Sequence, residues 1–511
     1  MSLKSFSLSK VSRASAMLAF FYLLSRVVGL WRDRVLASRF GATDVLDAYY
    51  VSFNLPDLVF NLLVAGAISS AFIPVFTEYQ AKKKGEEWEL TNNFLNSLLL
   101  VGAVICFVLA IFAPVVIGIV APGFIGPKKD LAILFTRVMM VSPIIFSVSM
   151  VLGSLLNIFE RFLTYAMAPI MYNLGIIIGA VWLEPKFGPL GLAEGVVLGA
   201  LLHFLIQLPS IWKIGFRWQG VLHWGDKGLR KVVQLALPRT FGLVAGQVNW
   251  IMLNALATTL GLGAVTIFNF ANNLQYLPVA LVGISVAIAS FPALSREALQ
   301  EDKREFVKHV QMHLRQVVFW ALPLSVLIFF LREEAARIVL RSGNFSTFDA
   351  SSTARVLGFF MIGAVSQSLI PILSRSFYAM QNTKTPVLIS LISIAINAGL
   401  AIYFVKELSW GLTGLALAFS IAGIVNAILL LIYLKKFLTA FSVKSFFWHF
   451  GKVVAATLGM GAVLYYLSCW NWGGGHGLAA DFYRAVIFSA LALLTFLGLS
   501  AILRISFSLK K

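Results

Sequence analysis

The strongest constraint on this chain is a series of apolar segments, each long enough to cross a membrane as a helix. One crossing needs about 20 predominantly apolar residues, and fourteen segments of the 511-residue sequence approach or exceed that length. They lie at 15–38, 45–76, 93–121, 131–158, 163–183, 188–212, 230–260, 264–294, 313–331, 354–380, 385–405, 411–434, 446–468 and 483–503. The sequence therefore predicts an all-α polytopic membrane protein with about 14 transmembrane helices.

Composition supports this class and excludes others. Hydrophobic residues make up 59% of the chain and charged residues 12%, whereas a soluble domain is about half apolar and about a quarter charged. A cytosolic enzyme and a disordered chain are therefore excluded. The two cysteines, Cys106 and Cys469, are far apart in apolar surroundings, so neither a disulfide framework nor a metal cluster is expected. The sequence has no P-loop, nucleophile elbow or HExxH motif, so we expect no catalytic residue, metal or cofactor.

The formal net charge of +19 has two explanations, nucleic-acid binding and membrane topology. If the N-terminus is cytoplasmic, the loops on that side hold 23 Lys and Arg residues, against about 10 on the opposite side. Cytoplasmic loops of membrane proteins carry such an excess. The bias predicts that both termini are cytoplasmic and that nucleic acid is not a partner. The first segment runs into Arg32-Asp33-Arg34 without a cleavage site, which predicts a retained helix.

The sequence contains an internal repeat. Five pairs of motifs recur in the same order at offsets of 217–223 residues, for example Arg137 with Arg355 and Pro169 with Pro386. Six spans in each copy predict two parallel lobes with a substrate site between them, which is a transporter architecture. The alternative is convergent helix packing through small residues. The predicted domains are a first lobe at 1–215, a second lobe at 226–437, and two extra helices with a basic tail at 438–511.

Charged residues inside the first span are the first candidates for a substrate site. An ionisable group within a membrane helix is costly and faces a cavity or a partner. Arg26 and Asp33 lie within about 20° of one helix face, and Gly29 between them permits a close neighbour or a kink. The alternatives are a purely structural role for Arg26 and snorkelling of Arg32 to the headgroups.

Other candidates lie in the second span and in the second half of the chain. Asp47 opens the second span, and Pro56 predicts a bend there, as Pro278 does in its counterpart. Such bent helices are candidate gates. Arg239 and Arg375 either anchor helix ends or add positive charge to a cavity suited to phosphate. The seventh, eleventh and twelfth spans hold no carboxylate, so no sodium or proton site is predicted there.

These motifs resemble the bacterial lipid II flippase family MurJ, also called MviN. The similarity covers nearly the whole chain. Its most specific pieces are Leu24-Ser25-Arg26-Val27-Val28-Gly29-Leu30 with Arg32-Asp33, then Asp47-Ala48-Tyr49-Tyr50, Leu55-Pro56, Ala71-Phe72-Ile73-Pro74, Gly343-Asn344-Phe345 and Lys384-Thr385-Pro386. The resemblance implies a fourteen-helix member of the multidrug/oligosaccharidyl-lipid/polysaccharide (MOP) exporter superfamily in the bacterial inner membrane.

The resemblance also implies a cargo and a set of contacts. The cargo is lipid II, the undecaprenyl-pyrophosphate-linked peptidoglycan precursor, moved from the inner to the outer leaflet by alternating access. Arg26, Arg32 and Asp33 match cavity residues of the family, and Asp47 matches the acidic residue that opens the second helix. Phe60, Asn61 and Asn273 stand where other members carry arginines. We therefore hypothesise that Arg239 or Arg375 supplies the missing charge.

Three other functions stay open at this point. One is a flippase for another polyprenyl-linked glycan, which the missing arginines favour. A second is a cation-coupled drug exporter of the same superfamily, which the scarcity of deep carboxylates disfavours. The third is a membrane scaffold for the cell-wall synthesis machinery, which is also a candidate partner of a flippase.

Overall fold

The computed structural model describes residues 10–65, 71–82, 85–438, 440–469 and 477–505. Within the helices, the side chains of residues 10–16, 19, 64, 65, 82, 238, 239 and 241–243 are outside the description. The described residues form helices and short connections, with no strand among them. The all-α prediction is therefore confirmed. By internal contacts, the chain divides into two compact units, unit 1 (Met1–Gly263) and unit 2 (Ala264–Lys511).

Unit 1 holds thirteen helices in the part that the structure describes. They are α1 (Lys10–Phe40), α2 (Asp44–Ser52), α3 (Asn54–Phe60), α4 (Ile73–Lys82), α5 (Glu86–Ile111), α6 (Ala113–Val120), α7 (Gly126–Met139), α8 (Val141–Ile158), α9 (Phe162–Ile178), α10 (Glu184–Phe187), α11 (Leu190–Leu205), α12 (Leu208–Lys213) and α13 (Lys227–Thr258). α9 packs between α1 and α11, and α8 packs on α3, α5, α9 and α11.

The contact between α9 and α11 depends on glycine. Cβ atoms built on Gly175 and Gly179 would lie 2.2 and 2.4 Å from the Cα atoms of Gly199 and Gly195. No larger residue fits at such distances. Small residues allow backbones to approach closely where lipid provides no hydrophobic drive for helix association. This contact fixes α9 relative to α11, and both helices contribute to the cavity described below.

Unit 2 contains nine described helices. They are α14 (Ala264–Pro278), α15 (Ser285–Glu297), α16 (Arg304–Phe330), α17 (Arg332–Leu340), α18 (Thr347–Ala379), α19 (Lys384–Ile402), α20 (Gly411–Phe437), α21 (Val443–Cys469) and α22 (Leu478–Ile502). α18 is central and packs on α14, α16, α17 and α20. A capping box between Ser346 and Asp349 begins it. α21 and α22 pack on each other and on α16 and α17.

Eleven helical segments of the described residues are long and apolar enough to cross a membrane. They correspond to eleven of the fourteen predicted spans. The other three predicted spans, 15–38, 45–76 and 230–260, coincide with α1, with α2 to α4 and with α13, and each includes residues or side chains outside the description. The count of fourteen therefore stays a prediction.

The second predicted span is not one continuous helix. α2 ends at Ser52, and α3 begins after Phe53. Pro56 falls in the first turn of α3, where its missing N–H leaves no hydrogen bond unmade. Pro278 is the last residue of α14, just before a π-helical turn. Both prolines thus lie beside a helix interruption, and their role as gates stays a prediction.

Among the described residues, four complete π-helical turns occur at related positions in the two halves of the sequence. Asn61–Ala65 and Val279–Ile284 follow α3 and α14, while Gly179–Leu183 and Tyr403–Glu407 follow α9 and α19. Their offsets, 218 and 224 residues, are close to those of the sequence repeat. π-helical turns are rare and concentrate at functional sites. The two units divide at Gly263, so the predicted domain limits of 1–215, 226–437 and 438–511 stay predictions.

The glycine contact generates a matched pair of variants. Gly195→Ala would place a Cβ 2.6 Å from the Cα of Gly179, and overpacking of this kind costs about 1–3 kcal/mol. Gly246→Ala in α13 has nothing within 4 Å of the new Cβ. We expect a lower thermal unfolding midpoint for the purified Gly195→Ala protein and no loss for Gly246→Ala. Equal midpoints for the two variants would contradict the close contact.

Candidate functional site

Unit 1 contains a cavity of about 280 Å³ that is largely apolar and aromatic. Residues of α3, α8, α9 and α11 surround it because these helices pack on one another through α8. The lining residues are Phe53, Pro56, Asp57, Phe60, Ser142, Pro143, Phe146, Met150, Pro169, Tyr172 and His203. Phe146 is the centre of an aromatic group, since its ring contacts those of Phe60, Tyr172 and His203 at centroid distances of 5.0–5.8 Å.

Arg32 is held inside unit 1 by a carboxylate and an amide. Its Nε and Nη2 donate to Asp33 Oδ1 at 3.0 and 2.7 Å, and its Nη1 donates to Asn173 Oδ1 on α9 at 3.1 Å. The Asp33 side chain is 3% exposed. A guanidinium has five N–H groups, so two of them have no acceptor among the described residues. These bonds hold Arg32 inside the unit and so disfavour the alternative that it snorkels to the headgroups. They also leave two N–H donors to which an anion can bind.

This pair is electrostatically connected to the cavity. Tyr49 of α2 and Tyr172 of α9 are each within electrostatic range of both Arg32 and Asp57. The Asp57 side chain lines the cavity and makes no hydrogen bond or ion pair with a described residue, whereas its backbone carbonyl accepts from Asn61. The cavity wall therefore contains aromatic rings and the carboxylate of Asp57. The nearby cation, Arg32, is partly neutralised by Asp33.

Arg26 and Gly29 are less closely connected to this group. The Arg26 Nη2 donates to the Tyr22 hydroxyl at 3.1 Å, one turn earlier on the same helix, and its guanidinium lies 5.3 Å from that ring. A Cβ on Gly29 would be 3.8 Å from Asn173 Oδ1, which is an ordinary contact. Packing alone therefore does not require glycine at this position. Their roles in binding and bending stay predictions.

Asp47 is the most completely buried of the predicted acidic residues. Its Oδ2 accepts from Lys128 Nζ of α7 and from the backbone N–H of Gly263, both at 2.8 Å, and its side chain is 0% exposed. Gly263 has φ +73°, and a Cβ there would meet the Ala42 carbonyl oxygen at 2.5 Å. We name the contacts of Asp47 with Lys128 and Gly263 the Asp47 clasp. It joins α2, α7 and the chain that follows α13.

A second contact lies close to the clasp in sequence. The Gly123 N–H donates to Thr258 Oγ1 at 3.1 Å, and a Cβ on Gly123 would be 2.1 Å from the Thr258 carbonyl oxygen. The end of α13 is thus held to the loop between α6 and α7. The substrate-binding role predicted for Asp47 stays a prediction, and the contacts that the structure gives it are those of an anchor.

A buried polar group sits behind the cavity. His203 Nδ1 and Ser149 Oγ are 2.6 Å apart, and Gln207 Nε2 donates to Ser149 Oγ at 2.7 Å and to the His203 carbonyl at 2.9 Å. All three residues are at least nine-tenths buried. These bonds hold the His203 ring against Phe146 at the cavity wall. They fix the shape of the wall without adding a formal charge to it.

The two other arginine candidates, Arg375 and Arg239, stay predictions. Arg375 is in α18 of unit 2, where its guanidinium lies 5.7 Å from the Phe291 ring of α15. Arg239 is in α13, and its side chain is outside the described residues. The hypothesis that either one replaces the missing arginines is therefore a matter for experiment.

Several residues at the site were not identified from the sequence. Lys128 falls between the predicted spans 93–121 and 131–158, and Tyr172, His203 and Gln207 carry no motif. Asp57 was visible as a charge in an apolar segment, which was a usable signal. The others are polar or aromatic residues within apolar helices. From the sequence alone, a residue that joins two helices cannot be distinguished from one that lines a cavity.

The Asp47 clasp generates a second matched pair, because Lys128 also pairs with Asp44 at 2.7 Å. Asp47→Asn removes the buried charge opposite Lys128 and should lower the free energy of unfolding by about 1–3 kcal/mol. Asp44 is 54% exposed at its side chain, so Asp44→Asn should cost less than about 1 kcal/mol. Thermal unfolding of the purified variants measures both. A larger effect at Asp44 would contradict the assignment of Asp47 as the anchor.

Comparisons with known proteins agree on one family. The family model described as lipid II flippase MurJ matches residues 36–479. A probable lipid II flippase MurJ of Buchnera aphidicola subsp. Acyrthosiphon pisum is 32% identical over 466 residues, 88% of this chain and 90% of that protein. The lipid II flippase MurJ of Burkholderia cenocepacia is 32% identical over 435 residues, 83% of this chain and 84% of that protein.

Solved structures support the same conclusion. A lipid II flippase MurJ in an inward closed conformation is 26% identical, with a TM-score of 0.81, over 95% of this chain and 98% of that one. An inward-facing MATE family transporter of the MOP superfamily is 16% identical, with a TM-score of 0.68, over 84% of this chain and 98% of that one, and so shares the fold. This chain is a multi-pass membrane protein that belongs to the lipid II flippase family MurJ.

Proposed function

We propose that this protein moves lipid II from the inner to the outer leaflet by alternating access. A pyrophosphate-sugar-peptide headgroup cannot cross about 30 Å of hydrocarbon unaided, because its polar groups would lose their hydration. A polar groove replaces that hydration while the prenyl chain stays in lipid. The membership in the MurJ family and the cavity in unit 1 support this function. Transport of this kind changes the position of the lipid and makes or breaks no covalent bond in it.

The observation that carries the proposal is the position of Arg32. It lies in α1, where Asp33 and Asn173 hold its guanidinium in place, and Asn173 is the chain neighbour of Tyr172 in the cavity lining. A cation kept within a membrane helix beside a cavity is typical of a substrate pathway. Its two remaining N–H groups suit a phosphate oxygen, since charge-assisted bonds to phosphate are among the strongest hydrogen bonds. The aromatic rings of the cavity suit the flat apolar faces of sugars.

We assign the other predicted residues to supporting roles. Arg26, Arg239 and Arg375 extend the positive charge along the path of the pyrophosphate. Gly29, Pro56 and Pro278 permit the helices to bend during the change of access. The Asp47 clasp closes one end of unit 1, which we propose is the outer end, and it opens when the headgroup leaves.

The inside-negative membrane potential favours this direction of transport. Moving one negative charge outward gains about 2.3 kcal/mol per 100 mV. The positive-inside bias supports cytoplasmic termini, and with that orientation the headgroup enters from the side on which α1 begins. The cell-wall synthesis machinery that uses the lipid outside is a natural partner of the protein.

A second candidate function is transport of a different polyprenyl-linked glycan. Where the resemblance leads us to expect an arginine, Phe60 instead packs its ring 5.8 Å from that of Phe146. Asn61, beside it, donates to the Asp57 carbonyl at 2.8 Å. These two positions thus hold an aromatic ring and an amide where the resemblance implies positive charge. A headgroup with fewer phosphate contacts would fit this lining better than it would fit theirs.

The assignment is tested by rescue of a strain depleted of its essential lipid II flippase. We expect this chain to restore growth and to restore lipid II in the outer leaflet, measured by its accessibility to an external modifying enzyme. Growth without lipid II in the outer leaflet would overturn the assignment. Restored transport of another glycan lipid, with no effect on lipid II, would support the second candidate.

The role of Arg32 is tested in the same assay. Arg32→Ala removes the donors to the phosphate, and Asp33→Asn removes the carboxylate that positions them, so each should lower transport about tenfold or more. Arg304→Gln is the control, because that side chain is 87% exposed. Equal amounts of each variant in the membrane fraction are required. Full transport by Arg32→Ala would remove the basis of the proposed site.

The replacement-charge hypothesis has a separate test. We expect Arg239→Ala or Arg375→Ala to weaken rescue, and the double variant to weaken it further, because the pyrophosphate would lose a compensating charge. Lysine at either position should restore part of the activity. If both alanine variants complement the depleted strain fully, the hypothesis is discarded.

A further inference from the structure

A polar group in unit 2 lies outside the proposed transport path. It is formed where α16 packs against the beginning of α21. The Arg315 Nη2 donates to Ser445 Oγ at 2.7 Å, which joins the twelfth residue of α16 to the third residue of α21. Gln311 is one turn before Arg315, and His449 is one turn after Ser445. Side chains from both helices therefore meet near the start of α21.

The group has buried donors without acceptors. Gln311, Arg315 and His449 are each only 6–7% exposed. Gln311 Nε2, Arg315 Nε and His449 Nε2 have no hydrogen-bond partner in the described part of the chain. An amide nitrogen and a guanidinium Nε only donate, and His449 Nε2 donates in one tautomer. Leaving such groups unsatisfied is costly, so the chemistry that completes them is that of an anion.

The charges around the group point the same way. α21 contains no Asp or Glu, and Glu305, at the start of α16, is the only acid of that helix. Glu305 is engaged with Lys308 at the surface. His449 is within electrostatic range of both Arg315 and Lys452. The basic residues of the two helices are Arg304, Lys308, His309, His313, Arg315, Lys444, His449 and Lys452.

The neighbouring surface indicates that the anion belongs to a lipid. Trp448, adjacent to His449, is 71% exposed, and Phe447 is 57% exposed. Lys452 lies 5.7 Å from the Trp448 ring and donates to the Leu503 carbonyl at 3.0 Å. Exposed tryptophan beside lysine is typical of the level of lipid headgroups. A soluble anion gains nothing from this apolar surface, whereas acyl chains can pack on it.

We propose that Gln311, Arg315 and His449 form a binding site for the phosphate of an anionic phospholipid, at the membrane boundary where α21 begins. The phosphate accepts from the three buried nitrogens, and the acyl chains lie along the exposed face of α21. The site shares no residue with the cavity in unit 1, and the proposal does not depend on the cargo of the transporter. It ties α21 to α16 through a lipid as well as through direct packing.

The test compares lipid affinity and thermal stability of the purified full-length protein in detergent. The probes are phosphatidylglycerol, phosphatidylcholine and inorganic phosphate at equal phosphate concentration. We expect phosphatidylglycerol to raise the unfolding midpoint of the unmodified protein most. Gln311→Leu should weaken phosphatidylglycerol binding about tenfold, the effect of losing one charge-assisted hydrogen bond. Arg315→Gln should weaken it more.

If Arg315→Gln folds poorly, Gln311→Leu still distinguishes a lipid site from a buried donor without a ligand. If Gln311 is merely an unsatisfied buried donor, leucine should raise stability in every lipid and leave phosphatidylglycerol affinity unchanged. That result would overturn the proposal. Lys308→Gln is the control, because it removes a positive charge from the exposed face of α16 and should not change affinity. Equal protection by inorganic phosphate would overturn the assignment to a lipid.

Discussion

The pairing of charge within a hydrocarbon environment is the constraint on which the rest of this structure depends. Water is absent from the membrane interior, so each charged group there needs a partner from the protein or from a ligand. Arg32 and Asp33 satisfy that need together, and Asn173 then fixes the direction of the guanidinium. α1 is thereby held against α9. The glycine contact in turn fixes α9 against α11, and both of these helices line the cavity.

The two units meet the same constraint in different ways. Unit 1 places its charges close to a cavity, where a ligand can exchange with protein partners. Unit 2 places Arg315 among donors near a helix end, and Arg375 beside an aromatic ring. Asn397 and Asn426 provide buried polarity there without charge. Arg32 and Arg315 are thus the same residue type in different surroundings: Arg32 is bonded to a carboxylate and an amide, and Arg315 to a hydroxyl beside donors that have no partner among the described residues.

Hydropathy alone predicted the helical class and most of the spans, because a helix that crosses the membrane needs a continuous run of about 20 apolar residues. The interruption at Phe53 and the short helix α17 were not predictable in this way, since they depend on packing against neighbours. The partner of Asp47 was also hidden, because Lys128 is 81 residues away and looked like an ordinary loop lysine. The sequence named Arg32 and Asp33 as separate candidates and placed Asp33 on the face of Arg26, whereas the bonds of Arg32 to Asp33 and Asn173 required the fold.

The long sequence separation within the Asp47 clasp has a consequence for biosynthesis. Asp47 meets Lys128 after 81 further residues have been made, but it meets the Gly263 amide only after 216. At about 5–20 residues per second, the ribosome needs on the order of 10–40 s for that interval. In the part of this interval that follows the synthesis of Lys128, the lysine is available to the carboxylate and the Gly263 amide is not. In the nascent protein, the bond from the Gly263 amide to Asp47 can therefore form only after α13 has been made. It is the last bond of the Asp47 clasp to form, when the synthesis of unit 1 is complete.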